Sequence, residues 1–269
     1  MHFPLPNTSI RGIALAATFS ALIIPGAQAD SAKGKEIAAR YDQIDNGFGD
    51  HVATATMVLK NSGGQSSKRE LTVLTLERGG GKVGDKTISV FQSPKDVKGT
   101  AVLSHAKLTA NDDQWIYLPA AKRVKRISSS NKSGPFVGSE FAYEDITGQE
   151  LGKYSYNWLK TEKCGSATCD IVERVPLYKN SGYSKQHAWF NQGNGMIMRI
   201  DFFNRSGDLA KRLSFSKYKN VSGYLRPHLM RMENLRNGKS TDLIFNNYRF
   251  KSGLSASDFK SGSLKNLRW

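Results

Sequence analysis

From residue 50 onward, large apolar residues and polar residues alternate with a period of two, and clusters of glycine and asparagine interrupt the alternation at short intervals. Tyr154, Tyr156 and Trp158 fall on one side of such a run, with Ser155 and Asn157 on the other. Met196, Met198, Ile200 and Phe202 share a side against Arg199 and Asp201. Period two places one set on each face of a β-sheet. The interruptions include Asn61-Ser62-Gly63-Gly64, Gly79-Gly80-Gly81, Asn204-Arg205-Ser206-Gly207 and Asn237-Gly238. Glycine and asparagine tolerate the positive φ that tight hairpin turns require. Parallel neighbours need crossovers of a dozen or more residues, which these short connections exclude. The chain therefore reads as a mostly antiparallel β meander with few helices.

Two stretches break the pattern. Ile37, Tyr41 and Ile44 recur at i, i+4 and i+7 and so share one face of a helix, with Ser31 as its expected cap and Gly47 as its expected end. Residues 128–147 (SSSNKSGPFVGSEFAYEDIT) form a long insertion of small residues between strands. Long connections in a tight meander are where function concentrates. No internal repeat or linker divides the chain, so residues 30–269 are expected to form a single domain.

The first 29 residues read as an address rather than as fold. Arg11 precedes the apolar run Gly12–Ile24, Pro25 ends it, and Ala27-Gln28-Ala29 supplies a small-x-small cleavage pattern. The run is shorter than the roughly 20 apolar residues a membrane span needs. Cleavage after Ala29 and residence in the periplasm are the expectations. The formal net charge of +16 attracts anions without naming them. In an exported protein, anionic lipid surfaces and acidic protein faces are the expected partners, and nucleic acid is not. The two cysteines, Cys164 and Cys169, enclose a short glycine-containing loop. An oxidising compartment favours a structural disulfide between them. Their spacing is not the C-x-x-C of a redox site.

Catalytic patterns are missing. There is no H-E-x-x-H and no G-x-S-x-G. Gly238-Lys239-Ser240 imitates the end of a P-loop, but Glu233 stands where the motif's first glycine belongs. Ser129-x-x-Lys132 has an acylating spacing that recurs by chance at Ser214/Lys217 and Ser257/Lys260. Glu144 and Asp145 are adjacent carboxylates, and spacing alone gives them no role. An enzyme is not expected, nor a metal or other cofactor.

Two constellations remain. Lys122, Arg123, Lys125 and Arg126, with Lys132 just beyond, form a basic strand and its flank. It reads either as a charged edge that blocks strand-to-strand aggregation or as a docking patch for an anionic headgroup or acidic partner. The second is the surplus of large apolar residues on alternating positions. It is consistent with a filled core or with a lined void under the helix. Methionines such as Met196, Met198, Met230 and Met232 suit irregular apolar ligands.

Several stretches carry a family resemblance: Asn46-Gly47-Phe48-Gly49-Asp50, Phe91-x-Ser93-Pro94-x-Asp96-Val97-Lys98-Gly99-Thr100, Asp112-Asp113-Gln114-Trp115-x-Tyr117-Leu118-Pro119-Ala120, and Lys122–Ile127. The segment SSNKSGPFVGSEFAYEDI is the most specific, and Ser181–Ser184, Gly238–Thr241 and Gly253-Leu254-Ser255-x-Ser257-Asp258-Phe259 complete the set. The chain resembles the outer-membrane lipoprotein-sorting protein family, a LolA-like superfamily, and in particular its larger uncharacterised periplasmic branch. The resemblance implies a strongly curved, half-open antiparallel β barrel lidded by helices over an apolar cavity. It implies a carrier of lipid or lipidated protein working with an inner-membrane RND-type exporter. It supplies no position for the gating arginine of the lipoprotein carrier. On this reading Ile37, Tyr41, Ile44, Phe136, Phe141 and Tyr143 form the lid, and Trp115, Tyr117, Trp158, Met196 and Met198 form the wall. The alternative reading is a periplasmic lipid-sensing module that binds an anti-sigma-type partner.

Overall fold

The structure is a computed structural model that describes residues 1–2, 26–77, 83–148 and 150–267. The address sequence lies largely outside the described residues. Helix α1 (Gly26–Asp45) comes first, then β1 (Asp50–Lys60), β2 (Ser66–Leu76), β3 (Val83–Ser93), β4 (Ala101–Lys107), β5 (Asp113–Leu118) and β6 (Arg123–Ile127). A long crossing segment follows. The second half comprises β7 (Tyr154–Cys164), β8 (Ala167–Pro176), β9 (Tyr183–Asn191), β10 (Ile197–Asn204), β11 (Leu209–Val221), β12 (Tyr224–Asn234) and β13 (Ser240–Phe250). Among the described residues, no helix is long and apolar enough to cross a membrane.

Among the described residues, all thirteen strands join one antiparallel sheet in the order β6-β5-β4-β3-β2-β1-β13-β12-β11-β10-β9-β8-β7. The chain starts in the middle of the sheet and meanders outward to the β6 edge. Residues 128–153 then carry it to the opposite edge, β7, and it meanders back until β13 pairs with β1. The two edge strands do not pair with each other, so the barrel is half open. Register shifts at Thr54/Ala55, Glu70/Leu71 and Phe202/Phe203 add local bend and twist to the sheet.

Alternation sorts side chains onto two faces. The concave face carries the main core, in which Phe91, Phe136, Phe141 and Phe202 are fully buried, each worth about 2 kcal/mol of transfer free energy. The convex face of the first half is also covered. Leu254, Phe259 and Leu264, from the segment after β13, pack there against Leu74, Ile88 and Leu103. A third, small cluster lies outside β8–β10, where Trp189 and Ile171 pack beside the Cys164–Cys169 disulfide.

Helix α1 lies against β7 and β8. It begins at Gly26, so Ser31 lies inside the helix and does not cap it. Ala27, Gln28 and Ala29 favour helix, and no proline follows Pro25 before Ser31, which lets the helix run back that far. Gly34 costs the helix about 1 kcal/mol in propensity. It stands where α1 touches β7, and a Cβ there would sit 2.7 Å from the Trp158 backbone nitrogen. Beyond the helix, Gly47 and Gly49 adopt φ of +91° and +73°. Their N–H groups donate to the two carboxylate oxygens of Glu77.

The crossing segment spans the concave face and is pinned along its length. Lys132 donates to the Asp112 carbonyl, and Arg69 of β2 donates to the Val137 carbonyl. Val137 is a β-branched residue at φ +47°, a strained conformation that this contact holds in place. The Glu140 N–H donates to Thr241 Oγ1, and Lys211 Nζ donates to the Glu140 carbonyl. Glu144 accepts from Tyr178, Ser181 and the Gly182 N–H.

Candidate functional site: a lined cavity under the helix

Between α1, the crossing segment and the concave sheet lies a cavity of about 310 Å3. The lower part of the range for small-molecule pockets begins at about this size. Inward-facing positions of four neighbouring strands make its apolar wall: Ile200 of β10, Leu213 and Phe215 of β11, Met230 of β12, and Leu243 and Phe245 of β13. Leu71 and Val73 of β2 continue that wall. The alternation that turns Leu243 and Phe245 inward turns Asp242 outward, where Arg231 and Lys60 bind it. Phe136 and Phe141 close the cavity from the crossing segment, and Tyr41 closes it from α1.

One end is polar. Arg226 of β12 points inward and is buried, and its guanidinium donates to the Asp45 carboxylate in the last turn of α1. The guanidinium also stands 5.0 Å from the Phe48 ring centre and 5.6 Å from those of Tyr224 and Phe250. These contacts tie the C-terminal end of the helix to the sheet at the cavity mouth. His51 lies among the rings of Phe48, Tyr248 and Phe250 at 5.2, 5.7 and 5.5 Å. Among the described residues its Nδ1 has no hydrogen-bond partner. Burial, aided by the Arg226 charge, pushes His51 down to about 3, so the ring is neutral at ordinary pH. On the crossing segment, Asp145 accepts from the Tyr183 hydroxyl at 3.0 Å and the Ala142 N–H at 2.7 Å. Burial pushes its carboxyl up to about 6, against the pull of Lys211.

Of the residues expected to form the lid, Tyr41, Phe136 and Phe141 line the cavity together. Ile37 packs on the same core without reaching the cavity. Tyr143 stands behind the lining, edge-on to Phe136 at 5.8 Å. Ile44 is 40% exposed and lies over Gly195. Trp158 sits in the seam between α1 and β7, with Lys33 Nζ 3.4 Å above its ring and its Nε1 donating to Asp170.

The expected wall residues Trp115 and Tyr117 do not reach the cavity. They occupy the convex face and pack against the segment after β13. Both faces of β2–β6 are covered by apolar side chains, so alternation alone does not tell cavity side from outer side. Met198 is likewise on the outer face, beside Trp189 and the disulfide. A register shift between Ile197 and Arg199 breaks the alternation and gives the inward place to Ile197. Met196 is buried in the turn before β10 and is not part of the cavity wall.

Lys122, Arg123, Lys125 and Arg126 are exposed on and beside β6, the edge strand. Arg126 and Lys107 both pair with Asp113 of β5, which offsets part of the local charge. Lys132 does not join this patch. The chain turns back after Ser128 and buries the Lys132 ammonium near Asp112, whose carboxylate binds Lys153 at 2.6 Å. Burial pulls the Lys132 ammonium below its ordinary range. Arg226, Asp45 and His51 were not among the expected site residues. A signal for Arg226 exists: it shares the inward alternation of β12 with Met230 and Met232, where a charged residue is out of place.

A family profile described as an uncharacterized protein matches residues 84–266. An outer membrane lipoprotein-sorting protein domain from Vibrio parahaemolyticus is 46% identical and superimposes with a TM-score of 0.84, over 87% of this chain and 99% of that one. A DUF1329 family protein from Desulfovibrio piger is 32% identical, with a TM-score of 0.82 over the same shares of the two chains. The chain belongs to the DUF1329 family. The DUF1329 fold in turn matches a LolA superfamily protein from Nitrosomonas europaea at 20% identity and a TM-score of 0.68, over 84% of this chain and 97% of that one. The expected half-open, strongly curved antiparallel barrel of the LolA type is therefore the fold of this DUF1329 chain. No curated protein matches it.

Proposed function

We propose that this protein is a periplasmic carrier that shields the acyl chain of a lipid or lipidated protein. The observation that carries the reading is the apolar cavity of about 310 Å3 between the concave sheet and α1. The sorting role named for the Vibrio relative supports it, and the export pattern of residues 1–29 supports a periplasmic location. Cleavage after Ala29 would leave α1 starting at Asp30, with every α1 residue named at the cavity retained.

A methylene occupies roughly the ~30 Å3 that liquid water takes per molecule, so the resting cavity holds about ten. Each contributes about 0.8 kcal/mol, giving about 8 kcal/mol gross. Association costs at least about 4 kcal/mol. What remains is weak binding, which suits a load that must be released. A longer chain needs α1 to lift, and the Arg226–Asp45 contact is the latch that resists this.

The exposed basic edge of β6 is the proposed docking face for an inner-membrane RND-type exporter or an anionic bilayer. Exchanging Arg123 and Lys125 for glutamate should weaken docking and its salt dependence while leaving lipid uptake intact. The function itself is tested by native mass spectrometry of protein taken from the periplasm, followed by lipid extraction. A bound amphiphile is the expected result, and protein that is empty and takes up no lipid on incubation overturns the proposal.

A further inference from the structure

Arg174 of β8 is buried on the concave side, with 3% of its surface exposed. Its Nη2 donates to Gln186 Oε1, and its guanidinium lies 5.1 Å from the Tyr154 ring centre. Among the described residues it has no ion pair, and its Nε has no hydrogen-bond partner. Arg226, an inward arginine that lines the cavity, has Asp45, and Arg69 of β2 donates to the Val137 carbonyl. On the outer face, Arg199 and Arg212 share Asp201, and Arg231 has Asp242. A guanidinium does not shed its proton, so it cannot avoid the cost of burial by becoming neutral. The unpartnered Nε–H, with the second N–H of Nη2 on the same side of the guanidinium, suits an anion with two oxygens, while the first N–H of Nη2 stays on Gln186.

Arg174 does not line the cavity but stands beside it: it pairs with Gln186 and Gln186 with Phe202, one inward position along from the row Val172–Ala188–Ile200, and Ile200 lines the cavity. Tyr41 lines the cavity, and burial and Asp45 push its hydroxyl up, against the charges of Arg226 and Arg174. Asp42 of α1 acts on the same phenol and on Tyr156, and it is engaged in contacts of its own, including one from Asn46. Arg174 and the cavity are therefore covered by the same helix, which lies on β7 and β8.

We infer that Arg174 anchors the anionic headgroup, a carboxylate or a phosphate monoester, of an amphiphile whose chain lies in the cavity. The inference rests on the carrier reading and adds the class of headgroup to it. Arg226 is the less suitable anchor, because its own carboxylate and three rings already occupy it.

Delipidated protein is titrated with hexadecanoate, hexadecyl phosphate and hexadecanol, which share one chain and differ in the head. The wild type is expected to bind at least one anion about tenfold or more tighter than the alcohol. Which anion gains identifies the source. Arg174→Met should bring the anion-to-alcohol ratio near one while the alcohol's affinity stays within about twofold, since an apolar chain of similar length replaces the arginine without leaving a charge unpaired. Arg226→Met should keep the preference. An unchanged ratio in Arg174→Met overturns the inference. So does a wild type that binds alcohol and anions alike, and in that case the carrier reading stands. If none of the three binds the wild type, the carrier reading itself falls. Should Arg174→Met not fold, Arg174→Lys replaces it. That variant keeps the charge and loses the two-point face, so it should retain part of the preference, and full retention counts against the inference.

Discussion

Chain length is the most direct probe of the cavity. Single-chain carboxylates of about six to eighteen carbons differ only in how many methylenes leave water. With about 0.8 kcal/mol for each, affinity should rise about fourfold per carbon. The rise should end near ten buried methylenes, because the 310 Å3 cavity is then full and further carbons meet Tyr41, Asp45 and Arg226. Beyond that point, each carbon must move α1 and gains little. Leu243 lies on the apolar wall, and Leu243→Trp takes the space of about two methylenes, so its plateau should come about that much earlier. Titration calorimetry below the micellar concentration measures both curves. An affinity that climbs unbroken to the longest chain in both proteins would refute the reasoning, as would one that ignores length from the start. Either result would mean that the chain is held elsewhere.

Three further outcomes follow from named contacts. Arg226→Met removes a charge-assisted hydrogen bond and three ring contacts but leaves Asp45 able to hydrate, so about 2 kcal/mol should be lost. That corresponds to a Tm lower by roughly 4–8 °C, with faster hydrogen exchange confined to the end of α1. Gly34→Ala adds helix propensity, yet it should destabilise, because its Cβ meets backbone atoms of β7 that cannot step aside. A rise in Tm would show that α1 is not seated there.

The third concerns acid. His51 titrates at about 3 in the folded protein and near 6.5 unfolded, so the unfolded chain binds the extra proton between those values, and stability falls as pH drops through the window. Asp145, at about 6 folded and about 3.8 unfolded, acts oppositely: the folded chain binds more protons, and stability rises as pH drops from about 6 to 4. The two nearly cancel in that interval. Tm measured between pH 7 and 4 should therefore fall more steeply for Asp145→Asn and rise for His51→Phe. Parallel curves for all three proteins would contradict the assignment.

The strand meander was legible because period two and positive-φ turn residues are local signals. The disulfide was legible because two cysteines enclose a hairpin end. The cavity wall was only partly legible. Trp115 obeys the same alternation as Leu213, and only the segment after β13, which covers one face of β2–β6, makes Trp115 outer. Met198 was displaced by a bulge, which no periodicity announces. Lys132 lies in a stretch with no period, where side-chain direction depends on turns fixed by distant partners such as Asp112. Arg174 and Arg226 were readable in principle as charges on inward positions of otherwise apolar strands. Their different situations, one with a carboxylate and one without, exist only after β8, β12 and α1 come together.

The first strand lies beside the last, and pairing β1 with β13 joins residues some two hundred positions apart, as in His51 with Phe250. Such a seam is slow to close, because nearly the whole polypeptide must be present and roughly arranged beforehand. Until then β1 offers a bare apolar margin to any other extended chain. A truncation that stops before residue 240 should accordingly clump rather than yield a smaller working barrel. A chaperone that masks this margin would matter more to the yield of this protein than one acting on either outer edge.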